Sequence, residues 1–231
     1  MSVKNQFSKY AKEYKNHNII QQIVAKSLVR ELKFQPKRVL ELGCGSGQVF
    51  NHITWDIEFY KAIDFSSSMC ELHPKGENIE VKCFDFDTQE FLDEIKDNSY
   101  DIVLSSSALQ WSKDLSKIIK QLSLITNEIN AVLFTSNTFK TIQEITNTKS
   151  PILDENSIKE AFSKYFTCEF ETILYKLEFD NKKDLFDYIK KSGVSGGNAS
   201  LNFADAKKLY KEYNLNYLEF EVIFVKTISK L

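Results

Sequence analysis

The chain has 231 residues, and its length and composition limit what it can be. Hydrophobic residues make up 42% and charged residues 27%, close to the averages of globular proteins, which excludes a wholly disordered or fibrous chain. The 30 lysines and arginines nearly balance the 32 aspartates and glutamates, so the formal net charge is −2. This balance lacks the broad positive field on which nonspecific binding to nucleic acid depends. We therefore expect a folded protein whose partner is not a nucleic acid.

Membrane segments, disulfides and metals are not expected either. No window approaches the roughly 20 apolar residues of a membrane-spanning helix, and the first residues carry no hydrophobic signal segment, so we expect a cytoplasmic protein. The four cysteines are widely spaced without a C-x-x-C pair, and a chain of this size needs no disulfide. The three histidines join no recognisable ligand pattern, so no metal site is predicted.

The hydrophobic pattern predicts its elements in a regular order. A helical segment is predicted over residues 6–33, ending before Gln35-Pro36. Strands are then predicted at 38–42, 59–64, 79–84, 100–105 and 131–136. Helices are predicted between these strands at 47–53, 66–72, 88–96 and 114–125. Such alternation is typical of a parallel sheet with helices on both faces.

Beyond residue 150 the pattern changes. Helices are predicted at 154–165, 182–191 and 203–212, and long strands at 168–179 and 218–227. Two adjacent long strands indicate an antiparallel edge of the sheet. No repeat or clear linker interrupts the sequence, so we predict a single domain over residues 1–231.

The strongest local motif is a glycine cluster at the end of the first strand, Glu41-Leu42-Gly43-Cys44-Gly45-Ser46-Gly47. Glycines at alternate positions let the backbone turn sharply and approach a ligand, and the helix predicted from Gly47 would offer free N–H groups. A nicotinamide-binding fingerprint would place its third glycine at position 48, where this chain has Gln48. The spacing therefore disfavours a nicotinamide cofactor.

Two acidic residues follow later strands. Asp64 ends the second strand, 21 residues after Gly43, where a carboxylate can accept hydrogen bonds from both ribose hydroxyls of a nucleoside. This feature alone fits NAD and S-adenosylmethionine equally. Asp85 follows the third strand and is interpreted either as a contact to an adenine amino group or as part of a solvated turn beside Asp87.

Four segments, VLELGCGSG (39–47), AIDFSSSM (62–69), FD (84–85) and YDIVLSSSALQW (100–111), resemble class I S-adenosylmethionine-dependent methyltransferases. Further segments are most similar to the malonyl-acyl-carrier-protein O-methyltransferases of biotin synthesis. They are the F-x-x-x-A-x-x-Y of Phe7, Ala11 and Tyr14, the ALQW block, NTFKTIQEI (137–145), IKKSGVSG (189–196) and FEVIFV (220–225). Two positions depart from that family, because Ser106 stands where it has Asn and Phe220 where it usually has Tyr.

The resemblance implies an α/β, Rossmann-like fold with a seven-stranded, mostly parallel sheet whose last strand is antiparallel. It divides the single domain into an N-terminal helical lid (1–35), a cofactor-binding core (36–150) and an acceptor-side insertion with the final strands (151–231). In this family the cofactor is S-adenosylmethionine. The resemblance implies that Glu41 and the glycines surround its methionine part, Asp64 its ribose and Asp85 its adenine. The full predicted cofactor set is Glu41, Gly43, Cys44, Gly45, Gly47, Asp64, Phe65, Met69, Asp85, Phe86 and Ser105.

An acceptor carboxylate, with a reference pKa near 4, is already ionised at pH 7, so its methylation needs alignment and exclusion of water rather than a general base. Tyr14, Gln110 and Trp111 are predicted to position such an acceptor, although Tyr14 and Trp111 fit a packing role equally well. The residues predicted to bind the acceptor are Asn137, Thr138 and Lys140, the last being alternatively a solvated lysine.

The resemblance implies that the acceptor is a malonyl group on acyl carrier protein. A carrier protein is acidic, so its docking surface should carry clustered lysines. The candidates are Lys190, Lys191, Lys207 and Lys208, which are alternatively a solvated helix face. Two other functions stay open, a methyltransferase acting on another small molecule or on tRNA, and a non-catalytic subunit that keeps the cofactor fold.

Overall fold

All seven strands join one sheet in a computed structural model that describes residues 18–96, 98–191 and 203–231. The strand order across the sheet is β3-β2-β1-β4-β5-β7-β6. The strands are β1 (Arg38–Leu42), β2 (Phe59–Asp64), β3 (Ile79–Cys83), β4 (Ile102–Ser106), β5 (Ile129–Phe134), β6 (Phe166–Glu178) and β7 (Tyr217–Lys230).

The directions of the strands confirm the predicted fold. β1 pairs in parallel with β2 and β4, and the pairs β2–β3 and β4–β5 are also parallel. β7 is antiparallel to both of its neighbours, β5 and β6, so the antiparallel pair lies at the predicted edge with β6 outermost. The central strands β1, β2 and β5 are buried along nearly their whole length, as expected of strands covered on both faces.

Helices cover both faces of this sheet. They are α1 (Ile19–Arg30), α2 (Ser67–Leu72), α3 (Gln89–Ile95), α4 (Leu115–Ile125), α5 (Lys140–Thr146), α6 (Glu155–Ser163), α7 (Lys182–Lys191) and α8 (Phe203–Glu212). Asp114 and Asp154 cap α4 and α6, because their carboxylates accept the N–H groups of Lys117 and Ser157. Within the described ranges, no helix is long and apolar enough to span a bilayer.

Two hydrophobic clusters show how the alternation of side chains along β1 divides the core. Val39 belongs to the cluster that includes α1, α7 and α8, whereas Leu40 belongs to the cluster that includes α3, α4 and α6. Successive residues of a strand point to opposite faces, so one short apolar run serves both layers. The carboxyl ends of the parallel strands are left together at one edge of the sheet.

The predicted helix at 47–53 is wrong. Gly47 has φ +88°, a left-handed conformation that a right-handed helix does not contain, and residues 47–49 form a turn. Only a short 3-10 helix, Phe50–His52, follows before Ile53 becomes extended. The N–H of Gly47 is already bonded to the carbonyl of Cys44 at 2.9 Å, so it is not a free donor.

Helix α5 was missing from the predicted elements. It has only seven residues and begins after Phe139, whose φ of 59° is left-handed in a residue with a bulky side chain. A short helix entered through such a conformation leaves no clear periodicity in the sequence. The predicted N-terminal helix is described from Ile19 onwards, and its earlier part, including Tyr14, lies outside the described residues.

Candidate active site

A cleft lies at the carboxyl ends of β1, β2 and β4. Ligands of open α/β sheets bind at this edge. Eight of the eleven residues predicted to bind the cofactor line it, namely Glu41, Gly43, Cys44, Gly45, Asp64, Phe65, Met69 and Phe86. Trp111, predicted to position the acceptor, also lines it. The lining residues that the sequence did not indicate are Gln21, Gln48, Val49, Ser106, Ser107 and Ala108.

The three glycines of the loop after β1 have different tasks. All three have positive φ, so any other residue would be strained there. A Cβ on Gly43 would lie 2.0 Å from the Cβ of Ala108, and one on Gly47 would lie 2.5 Å from Cδ of Pro74. A Cβ on Gly45 would meet nothing within 4 Å. Gly43 and Gly47 therefore allow close packing, while Gly45 leaves the backbone open to the cleft.

Asp64 is a buried carboxylate held by the loop. Its Oδ2 accepts the N–H of Gly45 at 2.9 Å and its Oδ1 accepts the N–H of Ser66 at 2.8 Å. Burial raises the pKa of Asp64 to about 6, although these two N–H groups act to lower it. A carboxylate offers about four acceptor positions, so about two remain for ligand hydroxyls.

Glu41 is held by residues outside the glycine loop. It is 1% exposed, and the hydroxyl of Tyr60 donates to its Oε2 at 2.5 Å. Nε2 of the buried His73 lies 3.9 Å from the same oxygen. No motif indicated Tyr60 or His73, because they approach Glu41 from the neighbouring strand and from the residue after α2.

The end of β4 and the residue that follows it present serines to the cleft. Ser105 is fully buried and its hydroxyl donates to the carbonyl of Leu42 at 2.9 Å, so it joins β4 to β1 and does not line the cleft. The next two residues, Ser106 and Ser107, do line it. Ser107 has φ +60°, unusual for a non-glycine residue, and its buried hydroxyl has no hydrogen-bond partner. Such strain combined with an unsatisfied group is typical of functional sites.

Gln110 lies just beyond this wall. Its Nε2 donates to the carbonyl of Ser107 at 2.8 Å, while its buried Oε1 has no partner. Gln110 itself does not line the cleft. It contacts the backbone of Ser107, which does.

Asp85 does not line the cleft. It is exposed, and its Oδ1 accepts the N–H of Asp87 at 3.0 Å, which is the geometry of the solvated turn named as the alternative. Its neighbour Phe86 is 6% exposed and faces the cleft. An adenine contact by Asp85 stays a prediction.

The residues predicted to bind the acceptor lie after β5 and do not line the cleft. Asn137 Nδ2 donates to Glu221 Oε1 at 2.9 Å, and the hydroxyl of Thr138 donates to the carbonyl of Glu221 at 3.1 Å. Both side chains therefore attach this loop to β7. Lys140 is exposed at the start of α5.

The predicted docking lysines lie on α7 and α8. Lys207 and Lys208 are exposed on α8. Lys190 and Lys191 belong to the last turn of α7, and their side chains lie outside the described part of the chain.

Comparison with known proteins shows what this chain is similar to. The family model described as a methyltransferase domain matches residues 40–127, the part of the chain that runs from β1 through α4. The malonyl-acyl-carrier-protein O-methyltransferase of Bacillus cereus is 24% identical over 220 residues, covering 85% of this chain and 81% of that protein. The enzyme of the same name from Buchnera aphidicola is 28% identical over 192 residues, covering 79% of this chain and 70% of that protein.

Solved structures share the fold at low sequence identity. The YcgJ protein of Bacillus subtilis superposes with a TM-score of 0.66 at 12% identity, covering 90% of this chain and 99% of that one. A SAM-dependent methyltransferase of Thermotoga maritima has a TM-score of 0.58 at 13% identity, covering 97% and 99%.

The chain is a class I methyltransferase, an enzyme class whose methyl donor is S-adenosylmethionine. Within this class it is related to the malonyl-acyl-carrier-protein O-methyltransferases.

The residues of the cleft fit this cofactor. Gly45 leaves room for a ligand beside the backbone, and Asp64 keeps acceptor positions suited to a ribose diol. Phe65, Met69 and Phe86 give the same cleft apolar surface on which a flat purine can pack.

Proposed function

We propose that this enzyme transfers a methyl group from S-adenosylmethionine to the free carboxylate of a malonyl group on acyl carrier protein. The observation that carries this proposal is the extent of the likeness to enzymes of that name. The alignment with the Bacillus cereus enzyme covers 85% of this chain, whereas the methyltransferase domain alone accounts for residues 40–127. The likeness therefore includes much of the chain outside that core, where acceptor specificity is expected to reside.

We assign the cofactor to the cleft in three parts. The backbone at Gly45 and the carboxylate of Glu41 hold the methionine part, Asp64 accepts from the ribose hydroxyls, and Phe86 packs beside the adenine. The bound sulfonium supplies an activated methyl group whose positive charge disappears during in-line displacement. The protein's contribution is to align the acceptor with that methyl group and to exclude water.

The titratable groups of the cleft support an acceptor that is already ionised. Among the described residues that line it, these groups are Glu41, Cys44 and Asp64. A hydrogen bond with Cys70, together with burial, raises the pKa of Cys44 well above its ordinary value, so the thiol is neutral at pH 7. The two carboxylates are assigned to the cofactor. A malonyl carboxylate needs no base, whereas a hydroxyl or protonated amine acceptor would need one.

We propose that Ser107 orients the acceptor. Ser107 lines the cleft and its buried hydroxyl has no partner, so this hydroxyl can donate one hydrogen bond to a carboxylate oxygen. A neutral donor suits this task, because a strong charge pair would stabilise the ground-state carboxylate as much as the transition state. The side chain of Gln110 supports Ser107 by donating a hydrogen bond to the carbonyl of Ser107, and Trp111 contributes an apolar wall.

We also propose that the carrier protein docks beside α8. Lys207 and Lys208 supply exposed positive charge there, and Lys190 and Lys191 on α7 belong to the same proposed surface. In this proposal residues 1–231 act as one domain, with residues 1–35 closing over the substrate.

The proposal is tested by incubating the purified protein with S-adenosylmethionine and malonyl-acyl carrier protein and measuring the intact mass of the carrier. We expect the addition of one methyl group per carrier, removed again by mild alkali because the product is an ester. Acetyl-acyl carrier protein, which has no free carboxylate, is the matched substrate control. Equal methylation of the acetyl carrier, or no methylation by a protein that binds the cofactor, would reject this acceptor.

A further inference from the structure

Three of the four cysteines lie together where β2 and β3 end. The Sγ of Cys70, on α2, is 3.5 Å from the carbonyl of Asp64 and 3.6 Å from the carbonyl of Lys82. The Sγ of Cys83, the last residue of β3, is 3.6 Å from the carbonyl of Phe65. Cys70 therefore lies beside Lys82, the residue before Cys83, and beside Asp64, the residue before Phe65.

Cys70 and Cys83 lie against one short stretch of backbone. Their sulfurs contact the carbonyls of the consecutive residues Asp64 and Phe65, and Cys83 is also paired with Asp64 across β2 and β3. No disulfide joins them, and all four cysteines lie within the described residues. The methyl-transfer chemistry proposed above uses none of these thiols.

We propose that Cys70 and Cys83 form an oxidation site, at which a hydroperoxide converts the two thiols into an intrachain disulfide that weakens cofactor binding. The disulfide itself is independent of the enzyme's substrate. Its effect on the cofactor rests on the proposed assignment of Asp64 and Phe65 to the cofactor cleft.

Exposure and acidity assign different tasks to the two thiols. Cys83 is exposed, whereas Cys70 is 8% exposed and Cys44 is 2% exposed, so peroxide reaches Cys83 first. The hydrogen bond with Cys44 lowers the pKa of Cys70, which increases its thiolate fraction. Cys70 is thus suited to the second step, attack on the oxidised sulfur of Cys83.

The reaction balances with a hydroperoxide as the oxidant. The thiolate of Cys83 attacks a peroxide oxygen, so that an S–O bond forms, the O–O bond breaks and the leaving oxygen is protonated. With hydrogen peroxide that leaving group becomes water. The thiolate of Cys70 then attacks the sulfenic sulfur, so that the S–S bond forms and the S–O bond breaks, and hydroxide leaves and is protonated to water. Two thiols lose two electrons and two protons, and the peroxide is reduced by two electrons.

The crosslink would act on the backbone that carries the ribose contact. In the reduced protein the two S–H groups lie against the carbonyls of Asp64, Lys82 and Phe65, and a disulfide has no S–H to donate. Drawing the sulfurs to bonding distance also moves α2 relative to the end of β3. Asp64 is paired with Cys83 across β2 and β3, and Phe65 leads from β2 towards α2, so the geometry of the cleft wall changes with the crosslink.

The test is oxidation of the full chain with hydrogen peroxide, followed by alkylation of the remaining thiols and intact-mass and peptide mass spectrometry. Trypsin separates the three thiols, because Cys44, Cys70 and Cys83 fall in the peptides 39–61, 62–75 and 83–96. We expect the loss of two hydrogens and a link between the second and third peptides, reversed by dithiothreitol. A link through Cys168, a link between two molecules, or overoxidation of Cys83 without a link would overturn the proposal.

Calorimetric titration with S-adenosylhomocysteine measures the consequence. We expect oxidised protein to bind at least five-fold more weakly and dithiothreitol to restore the affinity. After peroxide treatment, Cys83→Ser should form no crosslink and keep its affinity. The control Cys168→Ser should still form the crosslink and lose affinity. A crosslinked protein with unchanged affinity would overturn the coupling to the cofactor cleft. Because the mass measurement needs no cofactor, a reduced protein that bound no S-adenosylhomocysteine would instead count against the proposed function.

Discussion

The pKa of Asp64 predicts that cofactor binding weakens in mild acid. Burial raises this pKa to about 6, and only the ionised carboxylate offers all its acceptor positions to the two ribose hydroxyls that we propose it binds. If the cofactor binds the ionised form alone, the apparent Kd equals the intrinsic Kd divided by the fraction of Asp64 that is ionised. The expected change is about tenfold between pH 7.5 and pH 5.

The same pKa has the opposite effect on the stability of the free protein. The folded state holds this proton more tightly than the unfolded chain, whose reference pKa is 3.8. Asp64 therefore contributes stability that is fully present below pH 3.8 and is lost as the pH rises through about 6, a loss of about 3 kcal/mol. Bound cofactor should offset this loss at neutral pH, because it supplies donors to the charged form.

The assay is calorimetric titration with S-adenosylhomocysteine from pH 5 to 7.5 at constant ionic strength, on the native protein and on Asp64→Asn. The variant should bind about 10 to 100 times more weakly at pH 7.5, because hydrogen bonds to a charged group are lost, and its Kd should no longer depend on pH in this range. Asp93→Asn, which changes an exposed carboxylate on α3, is the control and should behave like the native protein. A flat profile in the native protein, or the same pH dependence in Asp64→Asn, would refute this reasoning.

Four further changes have defined outcomes. Gly43→Ala places a Cβ 2.0 Å from a neighbouring Cβ at a φ of +72°, so thermal unfolding should show a loss of more than about 2 kcal/mol, and native stability would contradict the packing. Lys61→Met removes a buried cation that contacts two partly exposed glutamates, and chemical denaturation should show a loss of about 1 to 3 kcal/mol, the scale of hydrogen bonds to a charged group. Ser107→Ala should lower the kcat/KM for malonyl-acyl carrier protein by about tenfold while leaving the Kd for S-adenosylhomocysteine unchanged, and an unchanged kcat/KM would remove this residue from the acceptor site. The double change Lys207→Glu with Lys208→Glu should raise the KM for the carrier substrate at low salt, and an unchanged KM would reject the docking surface.

The strands were predictable because β4 and β5 are mostly apolar runs that fit a sheet covered on both faces, whereas β6 alternates polar with apolar residues as expected at an edge with one exposed face. The left-handed backbone conformations were not predictable from the sequence. Ser107 and Phe139 adopt φ values near +60° that their own residue types disfavour, so they arise from packing with distant segments. Helix α5 depends on the conformation of Phe139, and the orientation of the cleft wall depends on that of Ser107.

The cofactor motif was predictable because glycines at alternate positions and a strand-terminal aspartate occupy fixed places in this fold. The two serines at the end of β4 show where such reasoning fails. Successive side chains in a strand point to opposite faces, so a difference of one residue decides that Ser105 bonds to β1 whereas Ser106 lines the cleft. No local pattern distinguishes two identical neighbours, and only the register of β4 against β1 does so.

The two positions that depart from the related family, Phe220 and Ser106, differ in whether they line the cleft. Phe220 is fully buried in an aromatic cluster, 5.0 Å from the ring of Phe139 and 6.1 Å from that of Phe134, and it does not line the cleft. A tyrosine hydroxyl there would need a partner inside an apolar cluster, so phenylalanine is the simpler packing residue. Ser106 does line the cleft, next to the unpartnered hydroxyl of Ser107. Any change in acceptor preference relative to the family should therefore arise at this pair of serines rather than at β7.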